Sequence, residues 1–359
     1  MADQSDLTQR LLLWYDRHAR ALPWRACRGE RFDPYRVWLA EIMLQQTTVT
    51  AVSPYFRKFI LRWPTVQDLA AAPIEQVMHA WSGLGYYARA RNLHRCARAV
   101  VEEHDGRFPD TEAGLRALPG VGPYTAAAVA AIAFGRPAVV IDGNVERVIS
   151  RMYAIDAPPP AAKRAIETAA TSLTPEVRAG DYAQAVMDLG ATICTTRRPK
   201  CMLCPWADTC AARAAGDPER YPRRGPKSTK PVRRGVAFFL TRSDGAIWLR
   251  RRPDRGLLGG MMEVPSTPWR ERAWSDAAAR HAAPLALAWR ELPGQVRHGF
   301  THFDLELKVW IARVGRAALK DQQLSFDDGE WALPDRLGDL PLPTLMKKII
   351  AHAGKADAD

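Results

Sequence analysis

The chain has 359 residues, with 51 Lys and Arg against 39 Asp and Glu, and a formal net charge of +12. That length accommodates two domains with cores of their own, and the positive excess favours a polyanionic partner without separating DNA, RNA and acidic lipid. The opening residues Met1-Ala2-Asp3-Gln4-Ser5-Asp6 are polar and acidic, unlike a signal peptide, and the longest apolar run, 126–134, is too short to span a bilayer. Six cysteines in such a chain read as metal ligation with no disulfide framework, so a cytoplasmic protein is expected.

Residues 1 to about 222 read as almost wholly helical. Leu7, Leu11, Trp14 and Tyr15 recur at helical spacing. Asp33 followed by Pro34 predicts a helix start, with an N-cap acceptor and then proline in the first helical position. Within Trp38-Leu39-Ala40-Glu41-Ile42-Met43-Leu44-Gln45-Gln46-Thr47, the carboxyl of Glu41 has mostly apolar neighbours. It lies either on a polar stripe with Val37 and Gln45 or in a pocket, where a partly buried carboxyl keeps its proton more readily. Residues 113–118 and 125–134 are helical and flank the turn Leu118-Pro119-Gly120-Val121-Gly122-Pro123-Tyr124-Thr125. Gly120 and Gly122 let such a turn approach another backbone, and the next helix start offers N–H groups to a phosphate. Asp142, in Ile141-Asp142-Gly143-Asn144-Val145, is placed as an N-cap.

Cys194, Cys201, Cys204 and Cys210 then follow with gaps of six, two and five residues. Four thiolates in one loop suit a [4Fe–4S] cluster or a tetrahedral zinc ion, and the three unequal gaps favour the cluster. Arg197, Arg198 and Lys200 lie between the first two cysteines, where a metal-anchored basic loop suits backbone phosphate. Cys27 and Cys96 stand alone. A basic, proline-rich stretch without acidic residues follows, read as an interdomain linker over 223–234 that includes Arg223, Arg224, Lys227, Lys230, Arg233 and Arg234. Beyond it the period changes to two. Val236-Ala237-Phe238-Phe239-Leu240 and Ala246-Ile247-Trp248-Leu249 predict a hairpin about the turn 242–245, and Leu305, Leu307, Val309 and Ile311 alternate as in a strand. Residues 235–350 are therefore expected to form an α+β domain, with 351–359 as a tail.

These motifs together resemble the endonuclease III/MutY family of DNA glycosylases. The resemblance is strong over residues 7 to about 222 and weaker over 235 to about 350. It implies an all-α helix–hairpin–helix glycosylase core, residues 1–222, with a [4Fe–4S] loop at 194–210, followed by a Nudix-like domain. The turn at 118–125 resembles the family's DNA-binding hairpin, and Asp142, 22 residues after Gly120, matches its catalytic aspartate. The segment around Glu41 is similar to the adenine-glycosylase signature, in which this glutamate is the catalytic acid. By resemblance Glu41 protonates adenine at N7, and Asp142 faces the anomeric carbon as electrostatic stabiliser or nucleophile. Where the lyase-competent branch carries a Schiff-base lysine, this chain has Tyr124, which implies a monofunctional enzyme.

In Trp81-Ser82-Gly83-Leu84-Gly85-Tyr86-Tyr87-Ala88-Arg89-Ala90-Arg91-Asn92-Leu93, Tyr86 matches the aromatic wedge beside an opposing 8-oxoguanine, and Gln46 matches a polar wedge that fills the vacated stack. Phe300, Thr301 and His302 occupy the place of the family's Phe-Ser-His element, with threonine for serine. The hydroxyl survives and a methyl is added. Residues 269–282 lack the glutamate-rich box of a Nudix hydrolase, so this domain is expected to recognise and not to hydrolyse. The resemblance implies a monomer that acts on double-stranded DNA carrying adenine opposite 8-oxoguanine or guanine. The alternatives are a bifunctional glycosylase for damaged pyrimidines, opposed by Tyr124, and a non-catalytic iron–sulfur DNA-binding protein, opposed by Glu41 and Asp142.

Overall fold

The chain divides into two units in the computed structural model, which describes residues 4–26, 30, 32–157, 160–223, 229–315 and 329–356. The first unit takes Met1–Ala72 and Asn92–Lys227, and the second takes Pro73–Arg91 and Ser228–Asp359. Cys27 and the linker residues Arg224 and Lys227 lie outside the described residues. No described helix is long and apolar enough to cross a membrane.

The helices begin with α1 (Gln4–His18), α2 (Pro34–Leu44), α3 (Val49–Arg62), α4 (Val66–Ala71), α5 (Ile74–Trp81) and α6 (Ala88–Glu103). They continue with α7 (Glu112–Ala117), α8 (Pro123–Phe134), α9 (Gly143–Met152), α10 (Ala161–Leu173), α11 (Ala179–Thr192) and α12 (Ala211–Ala214). Helix α5 and the first turn of α6 belong to the second unit. Local chemistry sets many of the starts. Asp33 accepts a hydrogen bond from the Tyr35 amide with Pro34 in the first turn, and Thr65 and Asp68 form a reciprocal capping box on α4. Helix α8 is apolar on every side, with Thr125 to Ile132 all buried, and it packs against α2, α7 and α11. A helix of that character has to be central. Gly135, at φ +66°, ends it in the left-handed conformation.

The second unit carries β1 (Val232–Arg242), β2 (Ile247–Arg251), β3 (Met262–Glu263), α13 (Asp276–His281), β4 (Arg290–Glu291), β5 (Val296–Gly299), β6 (Asp304–Val314), β7 (Gly329–Ala332) and α14 (Thr344–Ala356). The strands form one sheet of order β3-β2-β1-β6-β4, in which β5 also pairs with β6 and β7 with β2. The predicted hairpin is the antiparallel β1–β2 pair, with Thr241 opposite Ile247. The central pair, β1 and β6, is parallel from Val232 and Asp304 to Arg242 and Val314. Alternation along these two strands sends Ala237, Phe239, Leu305, Leu307 and Val309 to a core completed by Leu345, Met346 and Ile349 of α14. It sends Val236, Phe238, Leu240 and Trp310 to a second core with Trp289 and Ala279 of α13. Burial on both faces explains why β1 reads as a continuous apolar run.

Residues 73–91 join this unit through specific contacts. Ser82 Oγ donates to the Leu342 carbonyl at 3.0 Å, Arg91 donates to the Gly259 carbonyl, and Arg251 lies 3.7 Å from Glu75.

Gly180 marks a close approach of two helix backbones in the helical unit. A Cβ there would stand 2.5 Å from the Ala131 carbonyl oxygen and 2.8 Å from the Ile132 Cα, both on α8. Because the obstacle is backbone, Gly180→Ala should cost about 1–3 kcal/mol of stability. Urea denaturation measures this, and an unchanged midpoint would mean that α8 and α11 separate freely.

Candidate functional site

Glu41, Tyr124 and Asp142, from three different elements, share one electrostatic environment in the first unit. Glu41 is only 6% exposed, because α2 buries every residue from Val37 to Met43. Loss of hydration raises its carboxyl from 4.5 to about 7. A hydrogen bond from Tyr124 and the charge of Arg25 oppose that rise, while the charge of Asp142 adds to it. Tyr124 enters from the first turn of α8, after Pro123, and its hydroxyl donates to Glu41 Oε2 at 2.8 Å. Burial, followed by the nearby carboxylates, raises the phenol well above 10.

Asp142 caps α9. Its Oδ1 accepts from the amides of Asn144 at 2.8 Å and Val145 at 2.7 Å, and its Oδ2 accepts from Asn144 Nδ2 at 2.8 Å. The capping role read from the sequence thus holds the carboxylate in a fixed orientation beside Glu41. Gln46 follows α2 as an exposed residue at φ +58°, a left-handed conformation that non-glycine residues rarely adopt outside constrained sites. Its neighbour Gln45 donates to Thr125 Oγ1 at 3.2 Å.

Arg25 and Asp188 were not singled out from the sequence. Asp188, on α11, is 0% exposed and accepts from Arg25 Nη1 and Nη2 at 2.6 and 2.7 Å and from Arg20 Nε at 2.6 Å. A buried carboxylate with two guanidinium partners is compensated, and it keeps the Arg25 charge within reach of Glu41. Nothing local announces this pair, whose members are 163 residues apart.

The turn before α8 has Gly120 at φ +76°, where a Cβ would lie 2.5 Å from Asn92 Cβ. Only glycine fits. Gly122 caps α8 with no side chain, and a Cβ there would meet nothing within 4 Å, so another molecule's backbone has room to approach.

Cys194, Cys201, Cys204 and Cys210 are half-buried and line one small cavity of about 30 Å³. Sulfurs around a single tetrahedral zinc ion sit about 3.8 Å apart, given a metal–sulfur distance of about 2.3 Å. Among the described residues no group of His, Cys, Asp or Glu side chains draws together as such a single-ion site. Four thiols that line one cavity are a soft donor set of the kind that holds an iron–sulfur cluster or a thiophilic metal ion. Arg197, Arg198 and Lys200 are exposed on the same loop, and Arg198, at φ +49°, donates its amide to Glu219 at 2.8 Å.

Helix α9 connects this loop to Asp142. Arg147 donates to Asn144 Oδ1 at 2.8 Å, to the Gly190 carbonyl at 2.7 Å and to the Cys194 carbonyl at 2.8 Å. Arg151, 2% exposed, donates to the carbonyls of Thr195, Thr196 and Tyr221 and approaches Cys194 Sγ at 3.3 Å. The only sequence signal for this strut was the four-residue spacing of the two arginines.

In the second unit, Tyr86, Tyr87, Leu258, His298, Phe300 and Thr301 line part of a cavity of about 420 Å³, mostly apolar. The Tyr86 hydroxyl lies 2.7 Å from Thr301 Oγ1. Phe300 stacks on Trp269 at 5.7 Å and meets the edge of His298 at 4.7 Å, while burial lowers the His298 imidazole. Thr301 and His302 are exposed at the rim. Glu263, 1% exposed, is taken up by Arg250 at 2.7 Å and by Arg252, so this buried carboxylate braces the sheet.

Comparison with known proteins identifies the family. Residues 39–175 match the HhH-GPD superfamily base excision DNA repair proteins, and residues 236–352 match the NUDIX domain. The chain is 36% identical to the adenine DNA glycosylase of Homo sapiens, over 94% of this chain and 72% of the human protein. It is 29% identical to the adenine DNA glycosylase of Buchnera aphidicola subsp. Schizaphis graminum, over 96% of this chain and 97% of that protein. A solved thermostable thymine-DNA glycosylase superposes with a TM-score of 0.52 and 30% identity, covering 59% of this chain and 97% of its own. Both domains, in this order, and the match to full-length relatives show that the chain belongs to the adenine DNA glycosylase family.

Proposed function

We propose that this chain is a monofunctional glycosylase that hydrolyses the N-glycosidic bond of adenine opposite 8-oxoguanine or guanine in duplex DNA. The observation that carries the reading is the buried Glu41 carboxyl, bonded at Oε2 by Tyr124 and standing in the field of Asp142. With its carboxyl raised to about 7, Glu41 is still substantially protonated near neutral pH and is available as an acid. The Tyr124 bond occupies one carboxyl oxygen and leaves the other for the proton that passes to N7 of the departing adenine. Asp142, oriented by three N–H donors, faces the positive charge that develops at the anomeric carbon as the bond breaks. Water then supplies the hydroxyl at that carbon. The strand stays intact, because a Schiff base requires an amine and Tyr124 offers a phenol.

Gln46 fills the space vacated by the extruded adenine. The hairpin at Gly120 and Gly122, with Asn144 and the exposed Arg197, Arg198 and Lys200, holds DNA backbone. The opposing base belongs to the Tyr86 cavity, where the Thr301 hydroxyl accepts the N7–H that distinguishes 8-oxoguanine from guanine, and Phe300 and His302 complete the recognition element. The four cysteines hold a [4Fe–4S] cluster, which when bound braces the basic loop 194–210 and takes no part in breaking the bond.

In single-turnover assays, Glu41→Gln and Asp142→Asn should each slow adenine release by about 10²-fold or more while mispaired duplex still binds. Borohydride should trap no efficient covalent complex with the wild type. Turnover at the wild-type rate in either variant would remove these roles. The wild-type rate should also fall as pH rises through about 7, since the proton is lost from Glu41.

The same carboxyl governs part of the stability. Its folded value, about 7, lies above the ordinary 4.5, so the folded state binds the proton more tightly. Its contribution is complete below about 4.5, is lost as pH rises toward 7, and stays lost above. The span from 4.5 to about 7 corresponds to roughly 3 kcal/mol. Glu41→Gln should therefore be more stable than wild type at pH 8, by up to that amount, with the gap narrowing by pH 5. Equal melting curves at both pH values would show that the anion is not destabilised in the fold.

The purified protein should be brown with about four irons per chain, as one [4Fe–4S] site requires. Cys201→Ser should weaken iron retention and DNA binding together. A colourless protein with one tightly bound zinc would overturn the cluster.

A further inference from the structure

The turn that presents Tyr86 is conformationally costly. Gly83, Gly85 and Tyr86 have φ of +108°, +73° and +49°, and of the three only the tyrosine has a side chain that disfavours the left-handed region. Three contacts hold it. The Trp81 indole donates to the Gly85 carbonyl at 3.1 Å, and the Arg89 amide donates to the Tyr86 carbonyl at 2.8 Å. The third is the Arg89 guanidinium. Its Nη2 reaches the carbonyls of Leu84 at 3.3 Å and Gly85 at 3.2 Å, and its Cζ lies over the rings of both Trp81, at 5.2 Å, and Tyr86, at 5.4 Å.

An arginine in that position is unusual, since it is only 9% exposed. Burial lowers the guanidinium to about 10, so it remains charged at neutral pH. A planar cation between two aromatic faces fixes ring orientation in a way that an aliphatic side chain cannot. Tyr86 is 47% exposed, and on the cavity side its hydroxyl lies 2.7 Å from Thr301 Oγ1.

We propose that Arg89 is a positioning residue that aims the Tyr86 ring at the base opposite adenine and thereby sets the preference between 8-oxoguanine and guanine. This rests on the assignment of the Tyr86 cavity to the opposing base. The effect of Arg89 passes through Tyr86.

The test is a double-mutant cycle on the full chain, with single-turnover adenine release measured opposite 8-oxoguanine and opposite guanine in wild type, Arg89→Lys, Tyr86→Ala and the double variant. Lysine keeps the charge and the stem but loses the two-carbonyl fork and the flat stacking, so the rate ratio should fall by about five- to ten-fold. In the Tyr86→Ala background the same change should alter the ratio by less than about two-fold. A purely structural role would instead lower both rates equally and leave the ratio unmoved. An unchanged ratio in Arg89→Lys beside a reduced one in Tyr86→Ala overturns this inference alone, as do losses that multiply in the double variant. An unchanged ratio in Tyr86→Ala removes the cavity assignment and the inference together. Should Arg89→Lys melt well below wild type, Arg89→Met, which keeps a buried stem, provides the same comparison.

Discussion

Keeping one carboxyl out of water is the constraint around which the helical unit is organised. Glu41 has its raised proton affinity because α2 is buried along its length, and α2 is buried because it lies against α8, itself apolar on every side. The consequences extend outward. A protonatable buried acid requires a hydrogen-bond partner, and Tyr124 at the start of α8 provides it. A cation nearby has to be restrained or it would draw the proton off, and Asp188 binds Arg25 from the other side. The acid is kept poised between a phenol that donates to it and a guanidinium whose charge is compensated from behind.

Asp142 is handled differently. It caps α9 through three accepted hydrogen bonds, so its orientation follows from helix geometry. Helix α9 begins at its carboxylate and ends in arginines that grip the cysteine loop, so the loop and the carboxylate share one rigid element. A single helix gives a short mechanical path between the cysteine loop and Asp142. That path is made of backbone carbonyls, which bind arginine regardless of the side chains that carry them.

The second unit solves a separate problem. Its sheet is held at the centre by a parallel pair buried on both faces, which leaves loops free to vary at the strand ends. The 420 Å³ cavity is built from those loops and from residues 83–87. Its buried carboxylate, Glu263, is tied up by two arginines, an arrangement suited to support and not to metal-assisted hydrolysis.

Much of this was legible along the chain. The Asp33-Pro34 cap, the all-apolar run of α8, the β1–β2 hairpin and the alternation of β6 follow from local rules, because capping, turn chemistry and periodicity act over a few residues. The spacing of the four cysteines was legible for the same reason. For Glu41, by contrast, local pattern allowed a polar stripe as readily as a pocket, and only the packing of α2 on α8 decided in favour of burial. The Arg25–Asp188 pair, the parallel register of β1 with β6 and the joining of residues 73–91 to the C-terminal unit have no local signature either. Each brings together groups far apart in sequence, where distance and desolvation exist only once the chain has folded. Local sequence sets which chemical groups are available and where helices and strands can start. The tertiary structure alone decided which carboxyl would lose its water and which aromatic ring would be held by a buried cation.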